Sequence, residues 1–407
     1  MRVVSGSTIA GVEKQELNMK APVVEKVEIT EFTHELKDIG LEETISLPIY
    51  EPGSTLTSSK IAIRIFSDAG VTGEYIGGSK TEYSAIPMFV RTVIGRSVFA
   101  REAIYNDAKQ ALRQHARMGM SQVDMALWDL AGKLLDMPIY KLLGEYRTKL
   151  PCYASTYAGD FQKDGLNSPE AYADFAERCF EMGYRAFKVH PWQEAPLTQQ
   201  IALVEEVGKR MAGKMDLMLD PFCAYKTFGD AIKVGRACDD WGYYWYEDPF
   251  KDGGVSAFAH RKLREMIKTP LLQLEHTRGL EPHVDFIVAD GTDFVRIDQD
   301  YDGGVTGVMK IAHAAEGFGL DVEPHGPGAV RRQCMAATRN SNYYELGLVH
   351  PSCENFVHGP YFLDGYSDDL DAIDADGCVT VPDKPGMGVE IDWDYIEKHQ
   401  VDRTVYD

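Results

Sequence analysis

The sequence predicts an α/β protein: a (β/α)8-type barrel, a smaller α+β domain before it, and a loop-rich tail that returns to that domain. Between residues 151 and 346, eight short apolar runs alternate with amphipathic helical patterns. Between 21 and 150, apolar and polar side chains first alternate strictly and then take a helical period. From 347 onward Pro, Asp and Gly accumulate and the periodicity fades. The total of 407 residues exceeds one average domain. Residues 1–20 lack clear periodicity and read as a loose leader.

Taken in order, 24–30 and 60–65 alternate as half-buried antiparallel strands do, and 71–75 adds a third. The intervening 36–59, with Pro48, Pro52, Gly53 and several Ser and Thr, is expected to be a long loop of the kind that closes over a site. Helical patterns follow at 84–96, 101–116 and 121–136. In the second stretch, strands are expected at 151–156, 184–189, 215–219, 242–246, 270–274, 293–297, 319–323 and 342–344. Helix signals lie between them. Ser168 is a good N-cap with Pro169 in the first turn, and Gly303-Gly304-Val305-Thr306 opens a helix that ends near Gly317. Eight strand–helix units favour a barrel over a doubly wound sheet, although spacing alone does not decide between them. The expected divisions are 21–150, 151–346 and 347–407.

Composition narrows the function. Hydrophobic residues make up 44% and charged residues 26%, an ordinary globular balance. With 42 Lys+Arg against 63 Asp+Glu, the net charge of −21 argues against nucleic acid and against an anionic membrane surface. An anionic substrate stays possible, because a bound cation inverts the local field. Seven scattered cysteines without a C-x-x-C pair suit a reducing cytosol better than a disulfide framework. No apolar run reaches the ~18 residues of a membrane span, and no apolar segment follows Arg2 as in a signal peptide. A cytoplasmic protein is expected. The Gly-rich run 73–80 has Ser79 and Lys80 in the wrong order for a phosphate-binding loop.

The chemistry collects at predicted strand ends. Lys188 and His190, then Asp220, Glu247, Glu275, Asp298, His325 and Glu345, recur at steps of 20–30 residues. A barrel brings such ends to one mouth. Asp220, Glu247 and Glu275 are hard oxygen donors on adjacent strands and suit Mg2+. Singly they are bland, since Asp220-Pro221 and Asp248-Pro249 are common turn openers. Lys188 and His190, two apart, face the same side. A Lys buried beside a cation is expected to have a lowered pKa and to act as a base. Asp298 and His325 lie on neighbouring strands as a dyad in which the carboxylate orients the imidazole. His276 reads as a support behind Glu275 or a structural His. Tyr153, Tyr157 and Trp192 read as core or pocket wall. His313 reads as surface or core, and Arg331 and Arg332 as helix surface.

These residues resemble the enolase superfamily in its mandelate racemase branch, over about residues 22 to 390. Residues 121–133, then Pro138 and 142–144, resemble the helix leading into that family's barrel. Residues 246–249 look like its second metal-ligand motif. Asp298, 303–307, His325 and Glu345 follow the spacing of its dyad and eighth-strand Glu, and 385–389 looks like the C-terminal return. The resemblance implies a modified TIM barrel with a capping domain, bound Mg2+, a homo-oligomer, and removal of the proton alpha to a carboxylate. Acid-sugar dehydratases are common in this branch. Two departures stand out: His190 replaces a second lysine, and Phe222 replaces an Asn. A racemase needs bases on both faces, so the altered face favours dehydration of an acid sugar to a 2-keto-3-deoxy acid. His325 or Lys188 would take the α-proton. Glu345, if protonated, would donate a hydrogen bond to the substrate carboxylate, and His190 stays open among acid, base and carboxylate binder. Racemisation or epimerisation of a 2-hydroxy acid is the alternative. Cycloisomerisation is disfavoured by His325, and a non-catalytic barrel would share the fold.

Overall fold

Alternating apolar side chains build an antiparallel sheet at the N-terminal end. The computed structural model describes residues 21–43, 46–355 and 359–407, so the expected leader 1–20 lies outside them. Strands β1 (Val24–Leu41), β2 (Pro48–Ser67) and β3 (Thr72–Ile76) pair in sequence, and the last strand of the chain, Gln400–Tyr406, pairs with the free edge of β1. The loop expected at 36–59 is instead the outer half of a long hairpin, with Leu36 opposite Leu56 and Leu41 opposite Pro48. Pro48 is the first residue of β2, and Pro52 and Gly53 do not break the strand because they sit in an irregularity of the register. Gly53 N–H donates there to Asp38 Oδ1 at 2.7 Å. Leu36, Ile39 and Leu56 pack on Tyr157 and Leu348, which docks the arm against the barrel.

Helix α1 (Lys80–Ala85) starts earlier than expected, on a capping box in which Ser79 and Glu82 serve each other's backbone N–H groups. Pro87 lacks an N–H, so the expected 84–96 helix continues only as two short 3-10 turns. Helices α2 (Arg101–Ala111), α3 (Met120–Leu134) and α4 (Ile139–Leu143) follow.

Eight parallel strands come next: β4 (Lys149–Thr156), β5 (Ala186–Val189), β6 (Asp216–Leu219), β7 (Trp245–Glu247), β8 (Leu271–Gln273), β9 (Phe294–Ile297), β10 (Asp321–Pro324) and β11 (Tyr344–Val349). Neighbours pair in sequence order, and β11 returns to β4. Seven helices lie between them: α5 (Pro169–Met182), α6 (Leu197–Met211), α7 (Phe228–Trp241), α8 (Ala257–Arg264), α9 (Leu280–Val288), α10 (Gly304–Gly317) and α11 (Ala329–Ala337). The expected eighth strand–helix unit is not completed. Among the described residues the chain instead forms β12 (Cys378–Thr380) antiparallel to β4, then α12 (Trp393–Lys398), and rejoins the first sheet. Tyr153, Ala186, Met218, Trp245 and Leu272 plug the barrel interior below the mouth.

Helix α3 is buried along most of its length, and its Asp124 binds it to α10: Thr306 donates from its N–H at 2.9 Å and from its hydroxyl at 2.6 Å. Burial pushes the Asp124 carboxyl from 3.8 up to about 7. A carboxyl raised by folding adds stability that is complete below its unfolded pKa and lost as pH rises through the folded one. Asp124→Asn is therefore expected to flatten the decline in Tm between about pH 4 and pH 7. Thermal unfolding of both proteins across that range checks it, and equal slopes would show that Asp124 does not titrate there.

Candidate active site

The eight charged residues singled out at strand ends converge. Lys188 and Glu345 lie within β5 and β11, and Glu247 ends β7, while Asp220, Asp298 and His325 each follow their strand directly. Seven of the eight line one cavity of about 690 Å³ at the C-terminal mouth, and Glu247 lies fully buried behind them.

Asp220, Glu247 and Glu275 each offer a carboxylate oxygen within 4.8 Å of the others. Three hard anionic oxygens on three adjacent strands fit Mg2+, and Glu275 is partly open to the cavity, where water or substrate would complete the coordination. The chain turns sharply after Asp220. Phe222 and Cys223 take left-handed φ values of 51° and 58°, and the Phe222 N–H donates to Asp220 Oδ1 at 2.8 Å.

Lys188 Nζ lies 2.9 Å from Glu345, 3.1 Å from Glu247 and 3.6 Å from Asp220. Burial opposes its charge, but the Glu247 and Glu345 carboxylates outweigh burial and hold the ammonium well above its usual pKa. Glu345 differs from expectation. Burial would protonate it, yet Lys188, Arg296, His325 and the Gly326 N–H keep it well below the usual carboxylate range. It is an ionised acceptor, not a neutral donor.

Arg296 escaped the sequence reading. It is fully buried, its Nε donates to Glu247 Oε1 at 2.7 Å, and its Nη1 lies 3.7 Å from Glu345. An Arg inside the apolar run 294–297, two residues before Asp298, was the available signal.

On the opposite wall, His325 Nδ1 donates to Asp298 Oδ2 at 2.6 Å, and Nε2 faces Glu275 Oε1 at 3.5 Å. Burial would raise Asp298, but His325 and Arg331 hold it down to about 2. Burial would lower His325, but Glu275 and Asp298 lift it to about 9. Both nitrogens of His190 are engaged, Nδ1 with the Thr156 carbonyl at 2.5 Å and Nε2 with Asp220 Oδ2 at 3.1 Å. Its ring stacks on Phe222 at 4.0 Å between centroids.

Arg331, expected at the surface, is buried. It donates to Asp300 at 2.6 Å and to the His325 carbonyl at 2.7 Å. Arg332 is buried as well and pins the tail through Asp368 and the Thr380 carbonyl. Nearly every residue of α11 is buried, so no polar face marked these arginines. Tyr153, Tyr157 and Trp192 are core residues, with the Tyr153 hydroxyl accepting from Arg296 at 3.2 Å. His276 is half-exposed, 3.5 Å from Asp248, and His313 is exposed on α10.

Comparison with known proteins matches both halves of the chain. A profile described as mandelate racemase / muconate lactonizing enzyme, N-terminal domain, matches residues 45–144, and one described as enolase C-terminal domain-like matches 171–395. The structure of D-glucarate dehydratase from Agrobacterium tumefaciens, complexed with magnesium, superposes with a TM-score of 0.84 at 29% identity, covering 93% of this chain and 99% of that one. D-xylonate dehydratase from Haloferax volcanii is 26% identical, covering 85% of this chain and 87% of its own length. D-galactarolactone cycloisomerase from Agrobacterium fabrum is 27% identical, covering 84% and 91%.

Proposed function

The chain belongs to the mandelate racemase / muconate lactonizing enzyme family of the enolase superfamily, and from that premise we propose that it is a Mg2+-dependent acid-sugar dehydratase, a carbon–oxygen lyase. The observation that carries this is the inequality of the two cavity walls. One wall presents an imidazole backed by a carboxylate, and the other presents Lys188 ion-paired with Glu345 beside a His190 engaged at both nitrogens. Racemisation needs a proton acceptor on each wall, whereas elimination needs one acceptor and a donor for the leaving hydroxyl.

In this reading Asp220, Glu247 and Glu275 would hold Mg2+, which would supply positive charge to the substrate carboxylate. Lys188, fixed by Glu345 and Glu247, binds the same carboxylate from the other side. His325 Nε2 takes the proton from C2, with Nδ1–H held by Asp298. The imidazolium so formed returns a proton to the 3-hydroxyl, the C3–O bond breaks, and water leaves. The resulting enol tautomerises to a 2-keto-3-deoxy acid. His190, occupied at both nitrogens, positions Asp220. A panel of mono- and diacid sugars with Mg2+, read by keto-acid formation and by deuterium incorporation at C2, tests the reading. Epimer without keto acid from every sugar would overturn it.

Lys60, on β2, favours a diacid. Its side chain reaches the cavity from the cap, and among the described residues its ammonium forms no hydrogen bond or ion pair. Burial lowers its pKa, and a distal substrate carboxylate would relieve that cost. Lys60→Met is expected to lower kcat/KM for diacids about 10–100-fold, the scale of one charge-assisted hydrogen bond, and to spare monoacids. Equal losses for both classes would remove Lys60 from recognition.

We also propose a cytoplasmic homo-oligomer, kept in solution by its net charge of −21. No helix among the described residues is long and apolar enough to cross a membrane.

A further inference from the structure

One carboxylate at the barrel mouth accepts no hydrogen bond. Asp248, directly after Glu247, is 1% exposed, and neither of its oxygens has a hydrogen-bond partner. A buried carboxylate without hydrogen bonds is costly. Two donors of a different kind face it. Cys223 Sγ, an Asp248 oxygen and a His276 ring nitrogen lie within 4.8 Å of one another, with His276 Nε2 3.5 Å from Asp248 Oδ2. The cluster is built by the backbone. The left-handed turn after Asp220 delivers Cys223, whose N–H donates to the Asp248 carbonyl at 2.8 Å. Gly254 closes the far side at φ +72°, where a Cβ would fall 2.5 Å from Asp248 Oδ1.

The three loops that carry the oxygen triad Asp220, Glu247 and Glu275 thus carry a second triad, one sulfur, one oxygen and one nitrogen donor. Donor chemistry sorts the two. All-oxygen sites suit Mg2+, whereas a thiolate, an imidazole and a carboxylate suit a softer ion. We infer that Cys223, Asp248 and His276 bind a second divalent cation of the Zn2+ type beside the Mg2+ triad. Three protein ligands leave a fourth tetrahedral position free, and Cys223 and His276 both line the cavity, so that position opens toward bound substrate or water. Binding releases the thiol proton to solvent and places a cation beside the buried Asp248 carboxylate.

The full-length protein, saturated with Mg2+ and titrated with Co2+ under reducing conditions, tests this. Thiolate ligation produces a sulfur-to-cobalt charge-transfer absorption that an all-oxygen site does not. The expected result is a band that saturates at about one equivalent and is displaced by Zn2+. Cys223→Ser should abolish the band, and His276→Gln should weaken Co2+ binding at least about tenfold. Glu275→Gln should keep the band, separating this site from the oxygen triad. His276 is half-exposed, so its variant remains informative if Cys223→Ser folds poorly. No band in the unaltered protein would mean that Asp248 is served only by water around a single ion, and a band surviving Cys223→Ser would assign it to another cysteine. Either result overturns the proposal.

Discussion

His325→Asn is expected to lower acid-sugar turnover by about 10²–10⁴-fold, the usual cost of losing a positioned base. Asn offers no nitrogen that accepts a proton near neutral pH, and both nitrogens of His190, on the facing wall, are engaged. The fold should tolerate the change, because the His325 side chain is 31% exposed and its ring nitrogens meet only Asp298 and Glu275. The pH profile gives a sharper reading. A base works when neutral, so kcat/KM falls as pH drops through the pKa of His325. Glu275 and Asp298 lift that group from 6.5 to about 9. With Glu275 engaged as a metal ligand only part of the lift remains, which sets the acidic limb between those two values. Asp298→Asn should cost less activity and move the limb to lower pH, since the ring keeps its nitrogen but loses its carboxylate. An active His325→Asn enzyme would shift the base to Lys188 or His190 and leave the dyad a structural role.

Glu247→Gln is expected to damage both metal binding and the fold. Its carboxylate is a donor of the oxygen triad and also the counter-ion of Arg296 and Lys188, all three of them buried. Removing one partner of a buried ion pair typically costs about 3–5 kcal/mol, which would show as a marked fall in Tm even before metal is considered. Glu275→Gln is the informative contrast. Glu275 is partly exposed, and its ion pair is with His325 at 3.5 Å, so Mg2+ affinity should fall while Tm stays close to that of the unaltered chain. Activity should disappear on chelation and return with Mg2+ in the unaltered protein, whereas Glu275→Gln should recover little at the same Mg2+ concentration. Isothermal titration and thermal unfolding measure the two effects separately. Full activity after chelation would remove the metal from the mechanism.

Much of this architecture was legible in the residues, for local reasons. The strands at 186–189, 216–219 and 294–297 are short, mostly apolar runs bounded by charged or turn residues, and a strand's side-chain period is a property of the chain itself. The candidate residues were legible because each stands at or near the end of such a run, and a parallel barrel must bring those ends together. The hairpin at 36–59 was not legible, since Pro52 and Gly53 read as loop until the register irregularity that houses them is seen. Arg331 and Arg332 were hidden because α11 is buried on nearly every side and its period carries no face.

By itself the sequence marked the eight short strands, offered three oxygen donors at successive strand ends and put Asp298 and His325 on neighbouring strands, while the same spacing also allowed a doubly wound sheet. Tertiary structure alone decided the charge states at the site. Lys188 pairs with Glu345 and Glu247, and Arg296 is a second buried cation on the same two carboxylates. The reason is physical: a pKa in a buried site depends on charges a few ångströms away, and here those charges come from strands up to 157 residues apart, as in the 2.9 Å pair of Lys188 with Glu345.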